Sequence, residues 1–212
     1  IAITTTEALE SIKAGLAKNG VFHLVLTGGT LGVAISVEIA KRLNQGVFDG
    51  LNIWWSDERF VEFDSSDRND LELSKLLNES SKVKIHRTPG SGDINKVARE
   101  FAEELQNVEI DLNIIGVGPD GHVASLFPGV ADLDDQRDIF AITDSPKPPA
   151  SRISFTMKFL NQAEEIWIVA AGASKADAVA KIIEGDLSIP ASYVSAQVRT
   201  RLIVDQPAFF TE

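Results

Sequence analysis

The 212-residue chain contains no cysteine, which excludes disulfides, thiolate nucleophiles and cysteine-bound zinc. That absence fits a reducing compartment, and a cytoplasmic location is expected. Positive charge is also scarce, with 20 Lys and Arg against 31 Asp and Glu for a formal net charge of −11. A chain of that sign is a poor general partner for nucleic acid or an anionic membrane surface, and neither is expected. No apolar run is long enough to span a bilayer. Ile1 to Thr6 lacks the basic flank and apolar core of a secretory signal. A starting Met is missing too, which suggests that something upstream is absent. Only three histidines occur, on widely separated segments, and no His-Glu-x-x-His pattern joins any two, so no metal is expected. The turn after the first predicted strand is Gly-Gly-Thr rather than Gly-x-Gly-x-x-Gly, which speaks against a dinucleotide and leaves no cofactor expected.

What is present is ordinary for a globular protein: 44% hydrophobic and 24% charged residues, enough for one full-sized core over residues 1–212. Short apolar runs at Val21–Thr27, Leu51–Ser56, Val83–His86, Asp111–Val117, Ile139–Thr143, Glu165–Ala170 and Leu202–Val204 predict strands. Several are apolar at consecutive positions, as strands covered on both faces are. Apolar residues at three- and four-residue spacing predict helices over Val33–Leu43, Ile94–Leu105 and Ala173–Ile183, with Asp93 as an N-cap. Such alternation predicts a three-layer, Rossmann-like α/β domain with a mostly parallel central sheet. Ligands of such sheets bind beyond the carboxyl ends of the strands.

Four strand ends are unusual. Gly28-Gly29-Thr30 leads from a strand directly into a helix, where glycines permit close approach and the helix start offers free N–H groups to a phosphate. A plain strand-to-helix corner would look the same. Asp57-Glu58-Arg59 follows two tryptophans, although a solvated charge run is the simpler alternative. Gly116 to His122 contains three glycines and Pro119, a rigid path that ends on His122. His23 and His86 sit inside strand patterns and are read as structural. Lys147 and Arg152 bracket a proline-rich loop, and Lys175 starts a helix, where a cation opposes the dipole unless an anion compensates it.

These segments together resemble the 6-phosphogluconolactonase family. Gly118-Pro119-Asp120-Gly121-His122 and its continuation to Gly129 are similar to that family's signature. Ser56 to Val61 resembles its acidic–arginine motif, and Ser145 to Pro149 with Arg152-Ile153-Ser154 resembles its lysine–proline loop. Pro190-Ala191-Ser192 also fits. The match runs from about Thr27 onward, and the family's N-terminal strand and helix look partly absent. The resemblance implies a glucosamine-6-phosphate deaminase-like fold and hydrolysis of the small phosphosugar lactone 6-phosphogluconolactone; a monomer or weak homodimer is expected. It makes His122 the catalytic base, with Asp120 holding its loop. It gives substrate binding to Gly28, Gly29, Thr30, Asp57, Glu58, Arg59, Lys147, Arg152 and Lys175. Two features depart from the pattern: Leu31-Gly32 replaces a hydroxyl and a proline, and Arg68 precedes Asn69 where serine is common. Arg68 would then add a basic group near the mouth or decorate a loop.

Two rivals share the fold. Glucosamine-6-phosphate deaminases carry a related histidine loop but continue toward Phe-Asn-Glu, where this chain has Ala124-Ser125-Leu126, and their acidic motif ends in tyrosine rather than Arg59. A non-catalytic sugar-phosphate sensor would usually carry a separate DNA-binding module, and no helix-turn-helix is visible.

Overall fold

The computed structural model describes residues 1–209. Six parallel strands form the central sheet: β1 (Phe22–Leu26), β2 (Leu51–Trp55), β4 (Lys84–Ile85), β5 (Leu112–Gly116), β8 (Glu165–Ala170) and β9 (Arg199–Val204). Their order is β4-β2-β1-β5-β8-β9. Successive strands grow outward from β1 to one side, and the chain then crosses back to build β5, β8 and β9 on the other. The reversal between β1 and β5 is where ligands of open parallel sheets bind.

Side chains alternate across a strand, so each strand serves two cores. On one face Leu24, Ile53, Trp55 and Ile114 pack with α1 (Ala2–Asn19) and α2 (Gly29–Leu43) through Ile12, Ile35 and Ile39. On the other, Val25, Trp54, Ile115 and Ile168 pack with α4 (Ile94–Glu104) and α6 (Ala176–Glu184) through Phe101 and Val179. Three layers result, as the alternation of strands and helices predicted. Asp93 caps α4, its Oδ1 accepting from the amides of Asn95 and Lys96 at 2.9 and 3.0 Å. Among the described residues, no helix is long and apolar enough to cross a membrane.

Two features differ from expectation. Ala2–Asn19 forms an 18-residue helix that the apolar spacing did not predict. Its buried stripe, Thr4, Thr5, Ala8, Leu9 and Ile12, is made largely of small or hydroxyl-bearing residues and leaves a faint hydrophobic period. The chain also leaves the main sheet at Ser56. Its N–H still donates to Leu26 O on β1 at 2.9 Å, while its carbonyl accepts from Phe155 N at 2.8 Å. Asp57–Arg59 is therefore not the tail of β2 but a separate strand, β3. With β7 (Arg152–Phe155) and β6 (Ile139–Ile142) it forms a small antiparallel sheet, ordered β3-β7-β6.

His23, near the amino end of β1, and His86, directly after β4, are packing elements on either side of Trp54. His86 stacks on Trp54 with ring centroids 3.5 Å apart, and Trp54 Nε1 donates to His23 Nδ1 at 3.1 Å. An accepting Nδ1 requires a neutral ring. Burial lowers the His23 pKa below 6.5, with the charges of His86 and Lys84 acting in the same direction. A base that is harder to protonate folded than unfolded stabilises the fold above 6.5, and that contribution is lost as pH falls. Thermal melts from pH 8 to 5 should therefore show the melting temperature dropping below about pH 6.5, less steeply in His23→Gln. An identical acid slope in both proteins would exclude this origin.

Candidate active site

A cavity of about 610 Å³ opens at the carboxyl ends of β1, β5 and β8. Its wall contains Gly28, Gly29, Thr30, Asp57, Arg59, His122, Lys147, Arg152 and Lys175. Nine of the eleven residues expected from the sequence thus share one cavity. Asp120 supports that wall from behind His122, and Glu58 points elsewhere.

The histidine loop leaves β5 at the switch point. Gly118 N donates to His122 O at 2.8 Å and Gly121 N to Gly118 O at 2.9 Å, closing a tight turn. A Cβ at position 118 would overlap both the His122 ring and the Asp120 carboxylate, so only glycine lets that pair form. The glycines from Gly116 to Gly121 have dinucleotide-type spacing, but they lead into this turn rather than into a helix. The C-terminal motif braces the loop from outside, with Ala191 N donating to Gly121 O at 3.0 Å.

Asp120 Oδ1 makes a short hydrogen bond with His122 Nδ1, and Lys147 Nζ lies 3.0 Å from Asp120 Oδ2 and 3.1 Å from the same Nδ1. Burial alone would raise the Asp120 pKa, but bonds from His122 and Lys147 hold it down at about 2. An ionised carboxylate only accepts, so Nδ1 carries the proton that bonds it and the lysine ammonium serves Oδ2. Nε2 then has the lone pair, and it makes no hydrogen bond among the described residues. Burial lowers the His122 pKa below 6.5, Lys147 adds to that, and Asp120 opposes it. The ring is neutral near pH 7.

Alternation along β3 separates the three acidic-motif residues. Asp57 and Arg59 face the cavity. Glu58, buried at 2% exposure, turns away and accepts from the amides of Arg59, Asn69 and Asp70 at 2.8, 2.8 and 3.0 Å. Burial and the charge of Asp70 raise its pKa to about 7, against Arg68 and the amides. Arg68 is no surface group either. It forms a buried bidentate pair with Asp70 at 2.8 and 2.6 Å and donates to Val61 O and Thr88 O. It staples the loop that brings Asn69 to the cavity.

The cations divide into anchored and open groups. Arg152 is buried and gives Nε to Pro149 O at 3.0 Å and NH2 to the carbonyls of Lys147 and Pro148 at 2.9 and 3.1 Å. Much of its donor capacity therefore holds the proline loop in place. The ammonium of Lys175, at the N-terminus of α6, has no hydrogen bond or ion pair among the described residues. Burial lowers its pKa, as does Lys147, so an anion between the two lysines would relieve both effects. Opposite them, α2 has Gly28 at its N-cap and so no side-chain cap, leaving amides of its first turn free for an anion. Among the described residues, no three His, Asp or Glu side chains gather as metal ligands.

Sequence reasoning missed two lining or supporting residues. Asn69 is buried with Nδ2 on Asp57 O at 2.8 Å, while its Oδ1 has no partner and lies where a side chain at Gly28 would be. Ser125 lies beneath Asp57. Both belong to recognised segments, and only the contacts across the cavity single them out.

A sequence model described as glucosamine-6-phosphate isomerases/6-phosphogluconolactonase matches residues 2–203. The chain is 33% identical over 217 aligned residues to a 6-phosphogluconolactonase of Streptomyces coelicolor, covering 91% of this chain and 82% of that one. Among solved structures, a 6-phosphogluconolactonase from Thermotoga maritima superposes with a TM-score of 0.85 at 23% identity, covering 96% and 94% of the two chains. A monomeric glucosamine-6-phosphate deaminase superposes at 0.81 and 17%, covering 97% and 92%. At those identities the two structures speak for the fold, which is that of the deaminase.

Proposed function

Since the chain belongs to the glucosamine-6-phosphate isomerase/6-phosphogluconolactonase family, we propose that it hydrolyses 6-phosphoglucono-1,5-lactone to 6-phosphogluconate, the lactone step of the oxidative pentose phosphate pathway. The observation that carries this reading is the Lys147–Asp120–His122 array in the cavity wall, with Nε2 of a neutral imidazole unengaged.

The lactone is an activated ester, so a positioned water, a base and charge stabilisation suffice without a covalent nucleophile or a metal. His122 Nε2 takes a proton from water as the water oxygen bonds to C1. The tetrahedral oxyanion then collapses, the C1–O5 bond breaks, and the imidazolium returns its proton to O5. Asp120 keeps Nδ1 protonated and stabilises the transient imidazolium. Arg59, whose buried Nε has no partner, and Lys147 set a positive field for the oxyanion. The open amides of α2, Thr30 and Lys175 hold the phosphate, which orients C1 over His122.

The reading predicts acid release from fresh lactone at neutral pH well above the spontaneous rate, without ammonia release from glucosamine 6-phosphate. Because the base must be neutral and its pKa lies below 6.5, kcat/KM should be level near pH 7 and above and fall toward acid with a midpoint below 6.5, the side on which a free histidine titrates. Ammonia release from the amino sugar in place of lactone hydrolysis would move the assignment to the deaminase.

A further inference from the structure

Asp57 stands in the cavity wall with its two carboxylate oxygens in different surroundings. Oδ2 accepts from Ser125 Oγ at 2.6 Å and lies 3.7 Å from Arg152 NH1, which is itself 3.5 Å from the same hydroxyl. Oδ1 has only the long contact from Asn69 Nδ2, at 3.4 Å. One oxygen is tied back to the protein, and the other keeps its accepting capacity.

The serine is fixed by unusual backbone. Leu126 N donates to Val123 O at 2.9 Å, which closes a turn through Ala124 and Ser125. Ala124 takes φ 48°, a left-handed conformation that a non-glycine residue rarely adopts. Such conformations persist where the surroundings over-determine them, and they cluster at functional sites. Here Ser125 N is also held, donating to Ser154 Oγ at 3.2 Å on β7, the strand that pairs with β3. The turn lies three residues beyond His122, so one loop carries both the imidazole and the group that aims Asp57.

We infer that Ser125 is a positioning residue of this cavity: its hydroxyl fixes Asp57 Oδ2 so that Oδ1 faces the ligand as an acceptor for a sugar hydroxyl. A carboxylate held in this way selects a polyol phosphate over a bare phosphate, because inorganic phosphate has no hydroxyl to offer at that distance from the anion cradle. The inference rests on the phosphosugar reading of the cavity, and its test needs no turnover.

Calorimetry on the intact chain and on Ser125→Ala should measure affinity for 6-phosphogluconate and for inorganic phosphate. Loss of a hydrogen bond to a charged group should weaken 6-phosphogluconate roughly 10- to 100-fold, with inorganic phosphate unchanged. In an Asp57→Asn background the same substitution should change 6-phosphogluconate affinity less than about threefold, since coupled residues are non-additive. Ser125→Gly, which removes the hydroxyl from the same turn, should repeat the selective loss if the alanine variant folds poorly. Equal weakening of both ligands, unchanged affinity for 6-phosphogluconate, or full additivity with Asp57→Asn would each overturn the inference. If the intact chain binds 6-phosphogluconate but does not open the lactone, the activity is wrong and the affinities still judge Ser125. If it binds no 6-phosphogluconate at all, Ser125 has no such role.

Discussion

Replacing His122 with alanine should lower kcat for lactone hydrolysis by roughly 10²- to 10⁴-fold, the usual worth of a general base, while 6-phosphogluconate still binds. The separation follows from the geometry. His122 sits on the loop after β5, whereas the open amides of α2 and Lys175 come from other strand ends. The ring is only partly enclosed and packs against Phe127 at 4.8 Å between centroids, so its loss should leave the fold intact. Stopped-flow acid release with parallel calorimetry reads both quantities. A variant that binds product normally and opens the lactone at the intact rate would keep the activity and remove His122 from it. Loss of binding in step with rate would instead make His122 a ligand for the substrate.

The second large effect concerns stability. Glu58→Ala should destabilise the protein by about 3–5 kcal/mol, because each buried amide left without an acceptor costs about 1–3 kcal/mol. The amides of Arg59, Asn69 and Asp70 would lose their acceptor, while Arg68 keeps its bidentate pair with Asp70. At roughly 2–4 °C per kcal/mol for a chain of this size, melting should fall on the order of 10 °C. Glu58→Gln keeps one accepting oxygen but turns an NH2 group toward Asp70 N–H, so a smaller loss of about 1–3 kcal/mol is expected. A Glu58→Ala protein that melts like the parent yet binds 6-phosphogluconate poorly would return Glu58 to the substrate-binding role that its motif suggested.

Glu58 also shows where sequence reasoning reached its limit. Asp57, Glu58 and Arg59 were legible as a unit because a charged triplet beside two tryptophans is poor core material. Which member faces the ligand depends on strand register, and β3 was invisible because its three residues followed β2 with only Ser56 between. Once β3 is a strand, the period of two sends Asp57 and Arg59 one way and Glu58 the other. Arg152 followed the same course. The proline loop marked it, but only its bonds to the carbonyls of residues 147–149 show how far it is committed to holding that loop. The His122 loop was far more legible, because glycine and proline leave their backbone requirements in the sequence itself. The parallel sheet was legible for a similar reason: strands covered on both faces form near-continuous apolar runs, and Ile139–Ile142 carried such a run too, whereas β7, buried along its whole length but only four residues long and opening on Arg152, left too short a run to read.

The most direct test is the rate of acid release from freshly generated 6-phosphogluconolactone, with and without the intact chain, at neutral pH. The account predicts saturable hydrolysis far above the spontaneous opening of the lactone. Folded protein that binds 6-phosphogluconate but leaves the spontaneous rate unchanged would contradict it, and would make the cavity a sugar-phosphate receptor rather than an active site.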